Sequence, residues 1–145
     1  FTKKNKSTKV FQALRIIVNN EISELILGLS KSSNLISNNG VIITVTFHSL
    51  EDRICKFFFN NIATSRKVSR YFPVIRSDDT PFKIINKKPI SPSLKEIEKN
   101  PPSRSAKLRA VKRNGIKKVD TKFIFEKFKH LLEIESIAYK LWKVL

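Results

Sequence analysis

The stretch VIITVTFHSLEDR, Val41 to Arg53, decides how the chain is read. Val41–Phe47 is a continuous run rich in β-branched residues, which predicts a strand buried on both faces, as in a sheet with helices on either side. His48, Ser49, Glu51, Asp52 and Arg53 follow at once. Ser49 with Asp52 three residues later has capping-box spacing, so a helix is predicted to open directly after the strand. Its apolar stripe is Leu50, Ile54, Phe57, Phe58 and Ile62. A helix, a strand and a helix with tight connections are the grammar of an α/β sheet. Ligands of open α/β sheets bind outside the carboxyl ends of the strands. The strand thus delivers His48 and Ser49 to a ligand edge, and the next helix presents Glu51, Asp52 and Arg53 there. Capping alone accounts for Ser49 and Asp52, and Glu51 is favourable near any helix N-terminus. A strand-end histidine also serves as hydrogen-bonded scaffold, so residue types leave the role of His48 open.

Upstream, Phe11, Leu14, Val18, Ile22, Leu25 and Leu29 recur at three- and four-residue steps. They predict one amphipathic helix of about five turns from Val10, fading between Gly28 and Ser33. Residues 1–9 are basic and predicted loose, and Ser37–Gly40 (SNNG) is a turn signal. Downstream, residues 64–80 read as a basic loop. FKIIN (Phe82–Asn86) and AKLRAV (Ala106–Val111) are predicted strands, antiparallel neighbours at the edge of the sheet. Ser93 and Glu96 have a second capping-box spacing before a helix that the Pro101-Pro102 pair stops. From Asp120 one further helix is predicted, with Ile124, Phe128, Leu131, Ile134, Ala138, Leu141 and Leu145 on one face.

Net charge is +17, from 29 basic and 12 acidic residues, and such a field attracts phosphate backbones. Lysine outnumbers arginine heavily, so compositional drift competes with nucleic-acid binding as the cause. Arg104, Lys107 and Arg109 cluster in NPPSRSAKLRA (Asn100–Ala110), where they suit either RNA contact or edge-strand protection. Two histidines and one cysteine give no metal-ligand spacing, and the three glycines stand alone, without a phosphate loop. There is no GxSxG nucleophile elbow. No apolar run approaches membrane-spanning length, and no secretory signal is visible. The single cysteine suits a reducing, cytoplasmic setting. The chain begins with Phe1 and contains no methionine, so it is expected to be a piece of a longer protein.

Three segments together resemble a known family: FQALRIIVNNEISEL (Phe11–Leu25), TFHSLEDRICKFF (Thr46–Phe58) and NKKPISPSLKEIEKNPPSRSAKLRA (Asn86–Ala110). Their order and spacing resemble the C-terminal portion of the bacterial ribosomal RNA small subunit methyltransferase H, or MraW, family, over about residues 7–113. Where that family usually has His-Pro and an Arg before the FQALR helix, this chain has Asn5, Lys6 and Lys9. The resemblance implies α/β architecture: the C-terminal part of a Rossmann-like, class I methyltransferase with an incomplete sheet and an antiparallel edge pair. It implies S-adenosylmethionine as cofactor, bound mainly by an N-terminal part that this chain lacks, and transfer of a methyl group to N4 of a decoding-region cytosine in 16S ribosomal RNA. Strand-end position and the motif match together make His48, Glu51 and Arg53 candidates for the pocket rim, with Arg15, Arg104, Lys107 and Arg109 as candidates for holding RNA. The partners implied are small-subunit ribosomal RNA and the N-terminal half of the same protein. The fragment alone is expected to be inactive. The organisation expected is a basic lead (1–9), methyltransferase part (10–113) and helical extension (114–145). The alternative is a non-catalytic RNA-binding or ribosome-assembly module from a degenerate or split methyltransferase.

Overall fold

The structure is a computed structural model and describes residues 6–63 and 80–143. The predicted basic loop lies almost wholly outside the described residues. The chain divides into two units, Leu29–Asp120 and the pair Phe1–Gly28 with Thr121–Leu145.

In the Leu29–Asp120 unit, β1 (Val41–Thr46), β2 (Phe82–Ile84) and β3 (Lys107–Arg113) form a sheet of order β1–β3–β2. β3 runs antiparallel to both neighbours, so β1 and β2 run the same way. The predicted antiparallel pairing of the last two strands is present. However, β3 is the central strand and only β2 lies at that edge. β2 is shorter than FKIIN because the Asn86 side chain takes over its ladder bonds. Its amide donates to Leu108 O at 3.0 Å and its carbonyl accepts from Ala110 N at 2.8 Å.

Strand alternation separates two faces. On one, Ile42, Thr44 and Thr46 stand opposite Val111, Arg109 and Lys107, with Phe82 and Ile84 beyond. The helix α3 (Ser49–Ala63) packs there and buries Ile54, Phe58, Phe59 and Ile62. On the other, Val41, Ile43 and Val45 remain 43, 59 and 53% exposed. The strand expected to be buried on both faces is therefore buried on one. Its β-branched run reflects strand propensity as much as enclosure.

The turn into β1 is sharp. Asn39 has φ of 66°, and a Cβ on Gly40 would sit 2.9 Å from Ser37 O. At the same end, Arg113 knots three segments: its guanidinium donates to the carbonyls of Ser33, Gly115 and Lys117 and lies 5.5 Å from the Phe82 ring centroid. Ser93 caps the short helix α4 (Leu94–Lys99) by accepting from Glu96 N at 3.2 Å, as its spacing predicts. The 3-10 turn Pro101–Ser105 then leads into β3.

The predicted long helix is two: α1 (Lys6–Val18) and α2 (Glu21–Leu35). Asn20 breaks it by adopting φ of 52°, a left-handed conformation that asparagine tolerates better than most residues. The continuous apolar stripe is split accordingly. Ile22, Ile26 and Leu29 are buried, whereas Phe11, Leu14 and Val18 are exposed.

The tail is also two helices, α5 (Lys122–Lys127) and α6 (Lys129–Trp142), with α6 packed against α1. The buried Glu135 of α6 holds the start of α2. Its carboxylate accepts from Ile22 N and Ser23 N, each at 2.9 Å, and from the Ser23 hydroxyl. Two of the amides that every helix N-terminus leaves without an intrahelical partner are thereby satisfied, and the helix dipole favours the charge.

Candidate active-site edge

The mouth of β1 is built by a capping exchange one residue earlier than the sequence predicts. His48, not Ser49, is the N-cap of α3: its carbonyl accepts the first helical bond, from Asp52 N at 3.2 Å. His48 Nδ1 accepts from Glu51 N at 3.3 Å, while Glu51 Oε2 accepts from the backbone N–H of Phe47 at 2.9 Å and of His48 at 3.3 Å. This is a capping box in which an imidazole nitrogen replaces the usual hydroxyl. With Nδ1 accepting, the ring proton belongs on Nε2, which stands 3.3 Å from Glu51 Oε1. His48 and Glu51 are thus one locked pair at the carboxyl end of β1.

Relieved of capping, Asp52 turns inward. Its Oδ1 accepts from Arg109 Nε at 2.8 Å, and its Oδ2 accepts from Arg109 Nη2 at 3.2 Å and Lys107 Nζ at 3.3 Å. Asp52 and Arg109 are each only 8% exposed. The Arg109 hydrogen bonds hold the Asp52 carboxyl below its ordinary 3.8; burial opposes them, and the charges of Arg109 and Lys107 add to the lowering. HSLEDR and SRSAKLR, which stand apart in the sequence, therefore meet across α3 and β3.

Of the seven predicted site residues, His48 and Glu51 come together at the strand end, and Lys107 and Arg109 come together on Asp52. The Arg109 guanidinium is turned inward onto Asp52 as an internal tie. Lys107 is shared, with its side chain 42% exposed beyond its Asp52 contact. Arg53 and Arg104 are exposed. Arg15 lies in the other unit, where its guanidinium grips Glu21 at 2.8 and 3.2 Å. Burial pushes the Cys55 thiol up to about 11, which removes it as a nucleophile near neutral pH.

Sequence reasoning passed over Asp52 as an ion-pair partner because its helix-start position already had an explanation. Glu135 had no local signal at all, since its partners lie 113 and 112 positions away. No described strand is followed by a glycine-rich turn opening a helix. No helix among them is long and apolar enough to cross a membrane.

A small antiparallel three-stranded sheet with α3 packed on one face, and a strand end bearing motif residues, is consistent with an α/β protein of methyltransferase type. The sequence profile of the MraW methylase family matches residues 1–114, and the chain belongs to that family. It is 41% identical over 119 residues to the ribosomal RNA small subunit methyltransferase H of Oceanobacillus iheyensis, covering 81% of this chain and 36% of that protein. The protein of the same name from Persephonella marina is 49% identical over 107 residues, covering 74% of this chain and 32% of the relative. That from the Wolbachia of Brugia malayi is 45% identical over 112 residues, covering 77% and 31%. The chain spans about a third of the length of these relatives.

Proposed function

We propose that the chain is the C-terminal part of a ribosomal RNA small subunit methyltransferase that methylates N4 of a decoding-region cytosine, in the cytoplasm, with S-adenosylmethionine as donor. The observation that carries this is the sheet. A reversed β3 sits between two strands that run the same way, as at the antiparallel edge of an otherwise parallel doubly wound sheet. Among the described residues the far edge of β1 pairs with nothing, and its Val41, Ile43 and Val45 face is open. In the complete protein further parallel strands continue from that edge, a helix covers the outer face of β1 while the outer face of β3 and β2 at Lys112 and Lys83 stays open, and the donor seat lies in those added segments.

The chemistry places specific demands on the β1 mouth. The cytosine amino nitrogen has its lone pair delocalised into the ring and is a weak nucleophile. It must be held in line with the methyl donor, and its N–H bonds need an acceptor as the nitrogen pyramidalises. The base must also be splayed out of folded RNA to reach such a pocket. Glu51, fixed by the backbone amides of Phe47 and His48, is a carboxylate acceptor already oriented at a strand end. His48 is its positioning residue, and Arg53 and Arg104 are exposed cations suited to phosphate.

Labelled-methyl transfer to small-subunit RNA tests the assignment. The complete protein is expected to transfer label and the isolated chain to transfer none. RNA binding without transfer by the complete protein would instead favour the assembly-module alternative.

A further inference from the structure

At the opposite end of the sheet from His48, a hollow of about 560 Å³ is lined by Asn39, Thr80, Lys83, Lys87, Lys112 and Asn114, among others. Lys83 and Lys112 are register partners on β2 and β3. Strand alternation puts them on the same sheet face, away from α3, and both are exposed. Two like charges directly opposite each other on neighbouring strands repel. Among the described residues no carboxylate forms an ion pair with either, nor with Lys87. Arg113, which also borders the hollow, is already committed to three carbonyls.

We propose that the Lys83–Lys87–Lys112 hollow is a seat for RNA phosphates, gripping the substrate backbone at a distance from the reacting base. This rests on the ribosomal RNA assignment above and adds a second contact surface to it. Three flexible ammonium groups around a concave surface that also carries Asn39 and Asn114 suit point-charge contact with phosphate and carry no base readout. A bound polyanion turns the Lys83–Lys112 repulsion into a shared attraction, which explains why an otherwise unfavourable pair is placed there. β1 spans six residues between this end and the His48 end, or roughly 20 Å at ~3.3 Å per residue. Backbone held that far away orients the RNA without crowding the target base, as binding energy from remote substrate parts does.

The test is salt-dependent binding of a small-subunit RNA fragment by the complete protein and by its Lys83→Gln/Lys87→Gln/Lys112→Gln variant. At about 0.7 per phosphate contact on a single strand, losing three contacts lowers the slope of log K against log salt by ~2 and weakens binding about tenfold or more near 0.1 M salt. A charge-matched control, Lys31→Gln/Lys95→Gln/Lys99→Gln, is expected to lose less than about threefold. The hollow variant should melt no lower than the parent, because it relieves a repulsion; this separates lost contact from lost fold. Equal losses in the two variants would overturn the seat while leaving the ribosomal RNA assignment standing. Parent binding no tighter than that of an unrelated, equally basic protein would overturn both.

Discussion

Arg109 on β3 and Asp52 on α3, 57 positions apart in the chain, are joined by a two-pronged ion pair with bonds of 2.8 and 3.2 Å in the interior. The pair ties the first turn of α3, and with it the His48–Glu51 mouth, to the central strand of the sheet. Breaking a buried pair by removing one partner leaves an uncompensated charge, so Arg109→Ala is expected to destabilise the sheet-bearing unit by about 3 kcal/mol in urea unfolding. Arg109→Lys should recover only part of this, since an ammonium cannot reproduce the fork. The pH dependence has a definite sign. The Asp52 carboxyl is depressed in the folded state, so its contribution is present above its unfolded value near 3.8 and is lost as pH falls through the lower folded value. Unfolding of the parent should therefore grow easier below about pH 4, and the Asp52→Asn variant should lack that component.

Capping and catalysis can be separated at Glu51, because glutamine keeps an acceptor oxygen for the Phe47 and His48 amides while losing the charge. Glu51→Gln is expected to cost under about 1 kcal/mol of stability. If its carboxylate receives the substrate amino group, methyl transfer by the complete protein should fall at least about tenfold, in the range of a lost acid–base or electrostatic contact. His48→Asn preserves an N-cap acceptor and should fold normally, whereas His48→Ala loses about 1 kcal/mol. Full activity in Glu51→Gln would leave the pair as scaffold and nothing more.

The order of elements along Val41–Arg113 was legible because each carries a short-range signal: a β-branched run, the Ser93 box, the double proline, the alternation in AKLRAV. What was misread turned on competition between neighbours or on distance in sequence. Ser49 outranks His48 as a generic cap, yet His48 holds the cap position because Glu51, and not Asp52, reaches back to the strand-end amides. Asn20 interrupts an apolar periodicity that by itself continues through it. Arg109 reads as an exposed strand cation until its register against Thr44, on the α3 side of the sheet, is known.

Glu135 gives the C-terminal helix a structural task that can be measured residue by residue. Glu135→Ala leaves the Ile22 and Ser23 amides without their acceptor and removes a favourable charge from the α2 N-terminus, at an expected cost of about 2 kcal/mol. Amide hydrogen exchange should accelerate first at Ile22 and Ser23, ahead of the sheet amides of β1 and β3. Unchanged protection at those two positions would mean that water caps α2 equally well.

The open face of β1 gives the proposed continuation of the sheet a test independent of chemistry. Ile43 is 59% exposed, so in the isolated chain Ile43→Lys removes no buried contact and should change stability by less than about 0.5 kcal/mol. It should also reduce self-association, because a lysine on an open strand blocks edge-to-edge pairing. In the complete protein the same substitution would forfeit the burial of an isoleucine, roughly 1.5–3 kcal/mol, and add the larger cost of enclosing an ammonium. A large destabilisation of the complete protein beside near-neutrality in the fragment is therefore expected, read as paired thermal or urea unfolding. Equal tolerance in both would mean that Val41, Ile43 and Val45 face solvent in the complete protein as well, and that the sheet ends at β1.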